Sequence, residues 1–396
     1  MKLLLVGSRY YHARSSGDKN FWFELVKHIS PRLNEIHILS LEYTNYGTQF
    51  YEPNVWIHRM QSVPFPSLRT KRTDSVGRFY TSYVSQSLSF MKAVKEIKEL
   101  CRKYEVDIIQ LRDNYGPAML LLPLSGLKLP LSALVGGYYP GFPGYRVMLK
   151  LLGRAFTKIV PTTEPLRQKL QEIGISDKHL SQAITWGVPT SDLRRSPQQR
   201  EVVRGQLGIS PESTLVIWTG FLQQTSFQEF RYSMDVALEV LNKSDSCHFI
   251  FCFKHGHFKE EFTRFSRDRV NVIRTESNEY FLKYVNAADI LLSPYLAKNA
   301  ILTPPLTWLE CMAYEVPVVT TTIADTGELV NRGRGYVAHS KDDMADFIVD
   351  FAANDELRRA MGAKAREFVC RNYDIAHVAN RYVNLWHEMK DEEVSS

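Results

Sequence analysis

Short apolar runs alternate along the chain with longer segments in which apolar residues recur every three or four positions. The apolar runs cover residues 2–6, 35–41, 106–111, 131–135, 158–162, 215–219, 249–253, 270–273, 290–292 and 317–319. Helical spacing occurs between them, for example at residues 20–29, 164–173, 227–241, 260–267, 279–287 and 341–353. Short apolar runs are typical of buried strands, and strands that alternate with helices predict an α/β fold with parallel sheets.

The pattern stops and restarts near the middle of the chain. A polar stretch from Arg194 to Arg204 follows Gly187-Val188-Pro189, and a new strand-helix series begins at Leu215. A chain of 396 residues suits two domains better than one. We therefore predict one domain at residues 1–189 and another at residues 190–375, followed by a final helix within residues 376–396.

The composition, with 44% apolar and 23% charged residues, indicates a soluble globular protein. No apolar run reaches the roughly 20 residues that span a bilayer, and Met1-Lys2 leads directly into a strand. The five cysteines are scattered without a C-x-x-C spacing, so neither a disulfide framework nor a zinc site is predicted. We expect a cytoplasmic protein.

Positive charge is concentrated between Pro64 and Tyr104. Arg69, Lys71, Arg72 and Arg78 lie beside aromatic residues, and a helix then presents Lys92, Lys95, Lys98 and Arg102 near one face. Such a surface suits an anionic membrane, on the inner face of which the protein would be peripheral, or an acceptor that carries phosphate. An ordinary solvated helix face is an equal alternative. Nucleic acid is not expected, because no binding motif accompanies the charge.

Polar and glycine-rich loops follow several predicted strands of the first half. Ligands of open α/β sheets bind beyond the carboxyl ends of strands, so these loops predict a ligand site. Its candidates are Arg112 and Asn114 after the third strand, and Gly136 and Gly137 after the fourth. Ordinary flexible loops and tight turns remain alternatives. The first loop lacks G-x-G-x-x-G, which argues against dinucleotide binding.

The pattern of residues from Ala288 to Thr322 predicts a strand, a loop, a helix that carries Glu310, and a second strand. The loop Thr303-Pro304-Pro305 leads directly into the helix, whose first backbone N–H groups favour an anion such as phosphate. Glu310 lies among residues with a buried pattern, where a carboxylate needs a hydrogen-bond donor. A sugar or ribose hydroxyl would supply one.

This segment resembles the C-terminal signature of retaining, nucleotide-sugar-dependent glycosyltransferases of family four, also called group 1. The matches are Ser293-Pro294, Glu310-Cys311-Met312-Ala313 and Val316-Pro317-Val318-Val319, in order and spacing. The resemblance implies a GT-B fold, with two Rossmann-like domains whose parallel sheets face a deep cleft. It further implies transfer of a sugar from a nucleotide-sugar to an acceptor hydroxyl with retention, the acceptor being a glycan or lipid-linked precursor. By position, the resemblance implies that Ser15, Ser16 and Gly17, in the loop after the first strand, face the acceptor, with the candidates after the third and fourth strands beside it. The terminal helix would cross back to the first domain.

The same resemblance implies which residues hold the donor. Glu310 would be the catalytic-site carboxylate, and Lys254 and Lys298 would replace, by position, the family's two diphosphate-binding cations. The full donor set is Gly220, Lys254, Arg274, Thr275, Lys298, Thr303, Pro304, Pro305, Thr307 and Glu310. The chain contains no D-x-D, so we expect neither a metal nor another cofactor. The pair of histidines in Lys254-His255-Gly256-His257 is a weak metal signal, and solvated side chains are favoured there.

The chain departs from the family at four positions. Leu302 stands where the first glutamate is expected, the segment after Gly220 lacks the arginine and lysine, and Val135-Gly136 replaces a strand-end histidine. A non-catalytic GT-B scaffold that binds a partner or a glycan is therefore kept as the alternative. A phosphorylase or epimerase on the same fold has no supporting residues.

Overall fold

The structure of the protein is a computed structural model. It describes residues 1–8, 17–42, 47–61, 75–112, 116–138, 144–220, 224–254, 265–275, 277–296, 301–321 and 327–394. The predicted site residues Ser15, Ser16, Asn114 and Lys298, and most of the predicted helix 260–267, lie outside these ranges.

The first domain is built on a sheet with the strand order β3-β4-β2-β1-β5-β6-β8. Its strands are β1 (Lys2–Ser8), β2 (Glu35–Glu42), β3 (Gly47–Glu52), β4 (Val55–Gln61), β5 (Ile108–Leu111), β6 (Leu131–Val135) and β8 (Lys158–Pro161). All neighbouring strands pair in parallel except β3, which is antiparallel to β4 at the sheet edge. In register, Leu4 of β1 lies between His37 of β2 and Ile109 of β5.

The second domain is built on a parallel sheet with the order β11-β10-β9-β12-β14-β15. Its strands are β9 (Thr214–Gly220), β10 (Cys247–Lys254), β11 (Val270–Thr275), β12 (Ile290–Leu292), β14 (Val318–Thr321) and β15 (Gly335–Ala338). Two further short strands, β7 (Gly137–Tyr138) and β13 (Ile301–Leu302), pair with each other across the domains. The predicted α/β architecture of two Rossmann-like sheets is confirmed.

Helices cover both faces of the two sheets. They are α1 (Gly17–Ile29), α2 (Ser75–Tyr104), α3 (Leu121–Leu124), α4 (Tyr145–Ala155), α5 (Glu164–Glu172), α6 (Pro197–Gln206), α7 (Gln224–Lys243), α8 (Asn278–Ala287), α9 (Leu306–Ala313), α10 (Gly327–Val330), α11 (Lys341–Ala353), α12 (Asp355–Asn372) and α13 (Ile375–Val394). At the start of several helices, a serine, threonine or asparagine side chain accepts a hydrogen bond from a free backbone amide of the first turn. Thr163 does so for α5 and Ser277 for α8. Short 3-10 helices at Ser30–Arg32, Gly116–Leu120 and Asp177–His179 complete the description.

The terminal helix α13 packs on the first domain, although it follows the second in sequence. Its buried Tyr382 and Trp386 lie against Trp22 of α1 and against Gln110 of β5, to which the Trp386 indole N–H donates at 3.2 Å. The crossing point is fixed by backbone hydrogen bonds in which Val188 contacts residues 373 and 375. Large aromatic burial of this kind stabilises the association of α13 with α1.

A cluster of three arginines around Asp289 joins the segment that links the two domains, residues 187–204, to the second domain. We call residues 187–204 the inter-domain segment. Arg195, Arg200 and Arg204 all contact the Asp289 carboxylate, at 3.1, 2.7 and 3.2 Å, and the Leu215 amide donates to it at 2.9 Å. Burial by itself raises the pKa of Asp289, but Arg200 and the other donors outweigh burial and lower that pKa. The cluster therefore fixes α6 against the start of β9 and β12.

Two buried histidines, His37 and His58, stack in the first domain. His37 Nδ1 lies 3.0 Å from His58 Nε2, and the His37 ring stacks on Tyr104 with centroids 4.1 Å apart. Burial, with His37 and Lys103 nearby, lowers the pKa of His58 to about 4. Burial also lowers the pKa of His37, although Glu35 at 3.3 Å opposes this and Lys2 reinforces it. Both rings are therefore neutral in the folded protein at neutral pH.

This histidine pair predicts a loss of stability in mild acid. Because the folded-state pKa of His58 lies below the unfolded value of 6.5, its contribution is complete above pH 6.5 and is lost as the pH falls toward 4. We expect the free energy of unfolding to drop by on the order of 3 kcal/mol over that range. Urea unfolding at pH 7.5 and pH 4.0 measures this drop. His58→Leu should flatten the pH dependence, whereas the exposed control His387→Gln should keep it; an unchanged slope in His58→Leu would contradict the assignment.

Candidate functional site

Helix α9 places Glu310 at the boundary between the domains. The helix lies between the paired strands β12 and β14 in the chain, and Trp308, Leu309, Cys311 and Met312 are buried in the second domain. Glu310 is only 5% exposed. With Leu306 one turn before it and Tyr314 one turn after it, Glu310 forms a line of side chains along one face of the helix, which borders a cavity.

The cavity has a volume of about 410 Å³ and is lined by both domains. Helix α1 contributes Phe21, Phe23, Glu24 and Lys27, and the inter-domain segment contributes Gly187, Val188, Pro189, Asp192 and Leu193. The second domain contributes Ser277, Asn278, Glu279, Leu282, Leu306, Glu310 and Tyr314. Cavities of this size hold small ligands, and this one would respond to any change in the angle between the domains.

Acidic side chains dominate the charge of this cavity. Among the described lining residues, Glu24, Asp192, Glu279 and Glu310 are acidic and one, Lys27, is a lysine, which already pairs with Glu24 at 3.0 Å. Burial, followed by the Glu310 and Asp192 carboxylates, raises the pKa of Tyr314 to about 12, so its phenol stays protonated. These described lining residues suit the hydroxyl groups of a sugar or ribose, to which carboxylates accept hydrogen bonds, better than they suit a phosphate.

The start of α9 offers few donors for an anion. Pro304 and Pro305 have no N–H, and the Trp308 amide donates to the Pro305 carbonyl at 2.9 Å. Within the described residues, this leaves the amides of Leu306 and Thr307 as the donors of the first turn. The predicted phosphate contact at Thr303, Pro304, Pro305 and Thr307 thus depends on two amides, together with cations from elsewhere.

Thr303 connects the two domains. Its amide and its hydroxyl both donate to the Gly136 carbonyl, at 3.1 and 2.7 Å, and its hydroxyl lies 2.6 Å from that of Thr162. Beside this contact, Ile301 and Leu302 of β13 pair with Tyr138 and Gly137 of β7. Thr303, which was predicted to bind the sugar donor, therefore contacts Gly136 of the predicted sugar-acceptor site. The neighbouring Leu302 pairs with Gly137 of the same predicted site.

Removing the Thr303 hydroxyl should weaken this contact. Thr303→Ala loses the hydroxyl hydrogen bonds to Gly136 and Thr162, which together contribute about 1–2 kcal/mol, and keeps the amide hydrogen bond to Gly136. We expect faster amide hydrogen exchange at residues 301–303 and 137–138, by up to roughly tenfold, with the sheets of both domains unchanged. Thr307→Ala, in the first turn of α9, is the matched control and should leave the exchange as it is. Equal exchange in the two variants would show that the hydroxyl does not hold the domains together.

Gly220, Arg274, Thr275 and Arg112, whose positions the structure describes, are not among the residues that line the Glu310 cavity. Gly220 ends β9 with its Cα against Trp218, whose ring would lie 2.3 Å from an added Cβ, so packing alone requires glycine there. At the end of β11, Arg274 is exposed and the buried Thr275 donates to the Phe253 carbonyl at 3.5 Å. Arg112 is buried against Gly7. Gly17 starts α1 and Lys254 ends β10, and the structure describes only their backbones.

Sequence reasoning missed most of the residues that share the cavity with Glu310. Ser277 was recognisable as the cap of α8, and Tyr314 as the residue one turn after Glu310. Phe21, Lys27 and Asp192 carried no signal, because their place beside Glu310 depends on how the two domains meet. A second cavity, of about 650 Å³, is lined by Thr162, Arg167, Thr185, Pro304, Tyr373 and Arg381, among others.

The described part of the chain shows neither a metal-binding cluster nor a membrane-spanning helix. No group of three or more His, Cys, Asp or Glu side chains there is arranged to hold a metal ion. None of the helices described is both long and apolar enough to cross a bilayer.

Comparison with known proteins agrees with this architecture. Over 98% of its length the chain superposes on a glycosyltransferase from Rickettsia africae, with a TM-score of 0.71, 15% identity and 98% of that chain covered. The Anabaena protein HepE, solved in complex with UDP, superposes with a TM-score of 0.72 and 14% identity, with 98% of this chain and all of HepE covered. WaaG, a glycosyltransferase involved in lipopolysaccharide biosynthesis, superposes with a TM-score of 0.66 and 14% identity, with 97% of this chain and 99% of WaaG covered. The predicted GT-B fold is confirmed.

The sequence supports the same class over part of the chain. A family model described as "Glycosyl transferase-like" matches residues 251–384, which include β12, α9 and Glu310. A search of curated protein sequences found no match. In fold throughout, and in sequence over residues 251–384, the chain resembles glycosyltransferases of the group 1 type.

Proposed function

We propose that the protein is a glycosyltransferase that moves a sugar from a nucleotide-sugar donor to an acceptor hydroxyl with retention of configuration. The observation that carries the proposal is the position of Glu310: it lies in the segment matched by the glycosyl transferase-like family and lines a cavity between the two GT-B domains. The complexes of HepE with UDP and with UDP-glucose support a uridine nucleotide as the first donor to test.

In this proposal Glu310 accepts hydrogen bonds from hydroxyl groups of the ribose or the transferred sugar. A carboxylate accepts strong hydrogen bonds from such hydroxyls, because its negative charge strengthens each of them. The diphosphate would lie at the first turn of α9, with Lys254 and Lys298 as the candidate cations. The chemistry would rest on positioning and on stabilising the leaving diphosphate.

The acceptor would approach from the first domain, near the loops after β1, β5 and β6. Its proposed class is a glycan or lipid-linked precursor, for which the similarity to WaaG, a protein involved in lipopolysaccharide biosynthesis, is the support. We further propose that transfer needs no metal ion. Turnover in excess EDTA should then equal turnover with added Mg²⁺ or Mn²⁺, and a rate that requires either ion would refute this part.

The alternative is a GT-B scaffold that binds a glycan or partner without transfer. Two observations favour it: the cavity is mainly acidic, and Thr303 closes onto Gly136 where donor and acceptor would meet. Calorimetric titration with UDP-, GDP- and TDP-linked sugars separates the two readings. Micromolar binding of one donor, followed by transfer with retention seen by NMR of the anomeric proton, supports the enzyme. Absence of binding to every donor supports the scaffold.

A further inference from the structure

Exposed apolar residues are concentrated on one side of the first domain. Of the nine large hydrophobic residues that are exposed in the described part of the chain, six lie on α2, α3 and α4: Leu88, Met91, Leu121, Leu124, Val147 and Leu151. Leu124 is 79% and Val147 is 59% exposed. Large apolar side chains gathered on one surface mark a contact with something apolar.

The three helices are neighbours: α2, α3 and α4 each contact the 3-10 helix at Gly116–Leu120, and α2 also contacts α3. Phe90 of α2, Leu122 of α3 and Met148, Leu149 and Leu152 of α4 bury their side chains in the same core. The Lys98 ammonium of α2 also donates to the Ser125 carbonyl at the end of α3, at 2.7 Å. The outward faces of α2, α3 and α4 therefore lie side by side, and we call them the α2–α3–α4 surface.

The same surface is strongly basic. Residues 87–104, 116–129 and 144–155 carry nine Lys and Arg against two Glu, a net charge of +7, while the whole chain carries +6. The excess charge of the protein is thus located here. Helix α4 shows the pattern most clearly: Arg146, Lys150 and Arg154 alternate along its outer side with Val147 and Leu151, and it contains no acidic residue.

A bilayer interface supplies both contacts that this surface needs. Aliphatic side chains enter the boundary between headgroups and acyl chains, while lysine and arginine beside them meet anionic headgroups. A second copy of the chain is a poor partner, because pairing two such surfaces would bring two charges of +7 together. We propose that the α2–α3–α4 surface docks the protein on an anionic membrane, with α4 lying in the interface plane.

Membrane docking is a property separate from the proposed sugar transfer. The surface assigned to it also differs from the one expected from the sequence, which lay between Pro64 and Tyr104. Arg69, Lys71 and Arg72 lie outside the described residues, and the side chain of Arg78 is not described. Lys92, Lys95 and Arg102 of α2 are exposed as expected, and Ile97 and Cys101 are buried as expected. Helix α4, which sequence reasoning did not single out, contributes the most regular combination of charge and apolar side chains.

The test is co-sedimentation of the full chain with vesicles, in the absence of any sugar donor. Vesicles of phosphatidylcholine with 30% phosphatidylglycerol should bind the protein, and pure phosphatidylcholine should bind it at least about tenfold more weakly, since each basic residue near the surface contributes roughly fivefold. Added 0.5 M NaCl should release most of the bound protein. Because no donor is present, a failure here would leave the proposed transfer untouched.

Matched variants assign the binding to this surface. Arg146→Glu/Arg154→Glu and Val147→Ser/Leu151→Ser should each lower vesicle affinity by about tenfold or more. The controls, Arg359→Glu/Arg371→Glu on α12 and Val202→Ser/Leu357→Ser on α6 and α12, change the same residue types at other exposed positions and should bind as the wild type does. Equal loss in variants and controls, or no binding of the wild type to anionic vesicles, would overturn the proposal. Sedimentation velocity completes the test: a dimer abolished by the α4 variants would assign the surface to self-association instead.

Discussion

Replacing Glu310 by glutamine is expected to lower kcat/KM for sugar transfer by about 10- to 100-fold, because a hydrogen bond to a charged group contributes roughly 1.5–3 kcal/mol. Glu310→Ala leaves no hydrogen-bonding group at this position, whereas glutamine keeps an amide, so the alanine variant should abolish measurable transfer. Initial rates at saturating acceptor, with the donor found by titration, are the measurement. Both variants should keep the circular-dichroism spectrum of the wild type and a melting temperature within a few degrees of it.

The control is Glu279→Gln, which alters a carboxylate in the same cavity. Glu279 pairs with Lys283 at 3.0 Å and its side chain is 79% exposed, so it should contribute little to ligand binding. Equal losses in Glu310→Gln and Glu279→Gln would indicate a general effect of charge in the cavity. Wild-type activity in Glu310→Ala would exclude the role proposed for Glu310, and with it the leading support for the enzyme.

Replacing Asp289 by alanine is expected to destabilise the second domain by about 3–5 kcal/mol, because it leaves partly buried arginines without their counter-charge. The melting temperature should fall by on the order of 10 °C for a domain of this size. Calorimetry at pH 7 measures both quantities. The pKa of Asp289 is lowered in the fold, so this stabilisation is present above about pH 4 and is lost as the pH falls through the lower folded value.

The matched control for Asp289 is Asp245, which pairs with Arg269 at 3.3 Å and whose side chain is fully exposed. Asp245→Ala should cost less than about 1 kcal/mol, as exposed ion pairs usually do. If the two alanine variants lost similar stability, the three arginines would be solvated independently of Asp289. Their role in fixing α6 to the second domain would then fall.

Much of the fold could be predicted from local pattern. The strands at 131–135 and 290–292 and the helix at 341–353 have the predicted limits. The pair β3 and β4 was missed, since Val55–Gln61 contains His58 and Arg59, which interrupt its apolar residues. His58 is tolerated in the sheet because His37 and Tyr104 cover it, and these contacts join residues far apart in sequence.

The sequence by itself determined the two α/β halves, the strand-helix-strand segment around Glu310 and the burial of that glutamate. These follow from the spacing of apolar residues, which acts within a few turns of chain. Only the tertiary structure decided that Phe21, Lys27 and Asp192 share a cavity with Glu310, that Thr303 meets Gly136, and that α2, α3 and α4 present one basic and apolar surface. Those arrangements join residues 100 or more positions apart or separate helices. They depend on how whole elements and domains pack, which no local pattern encodes.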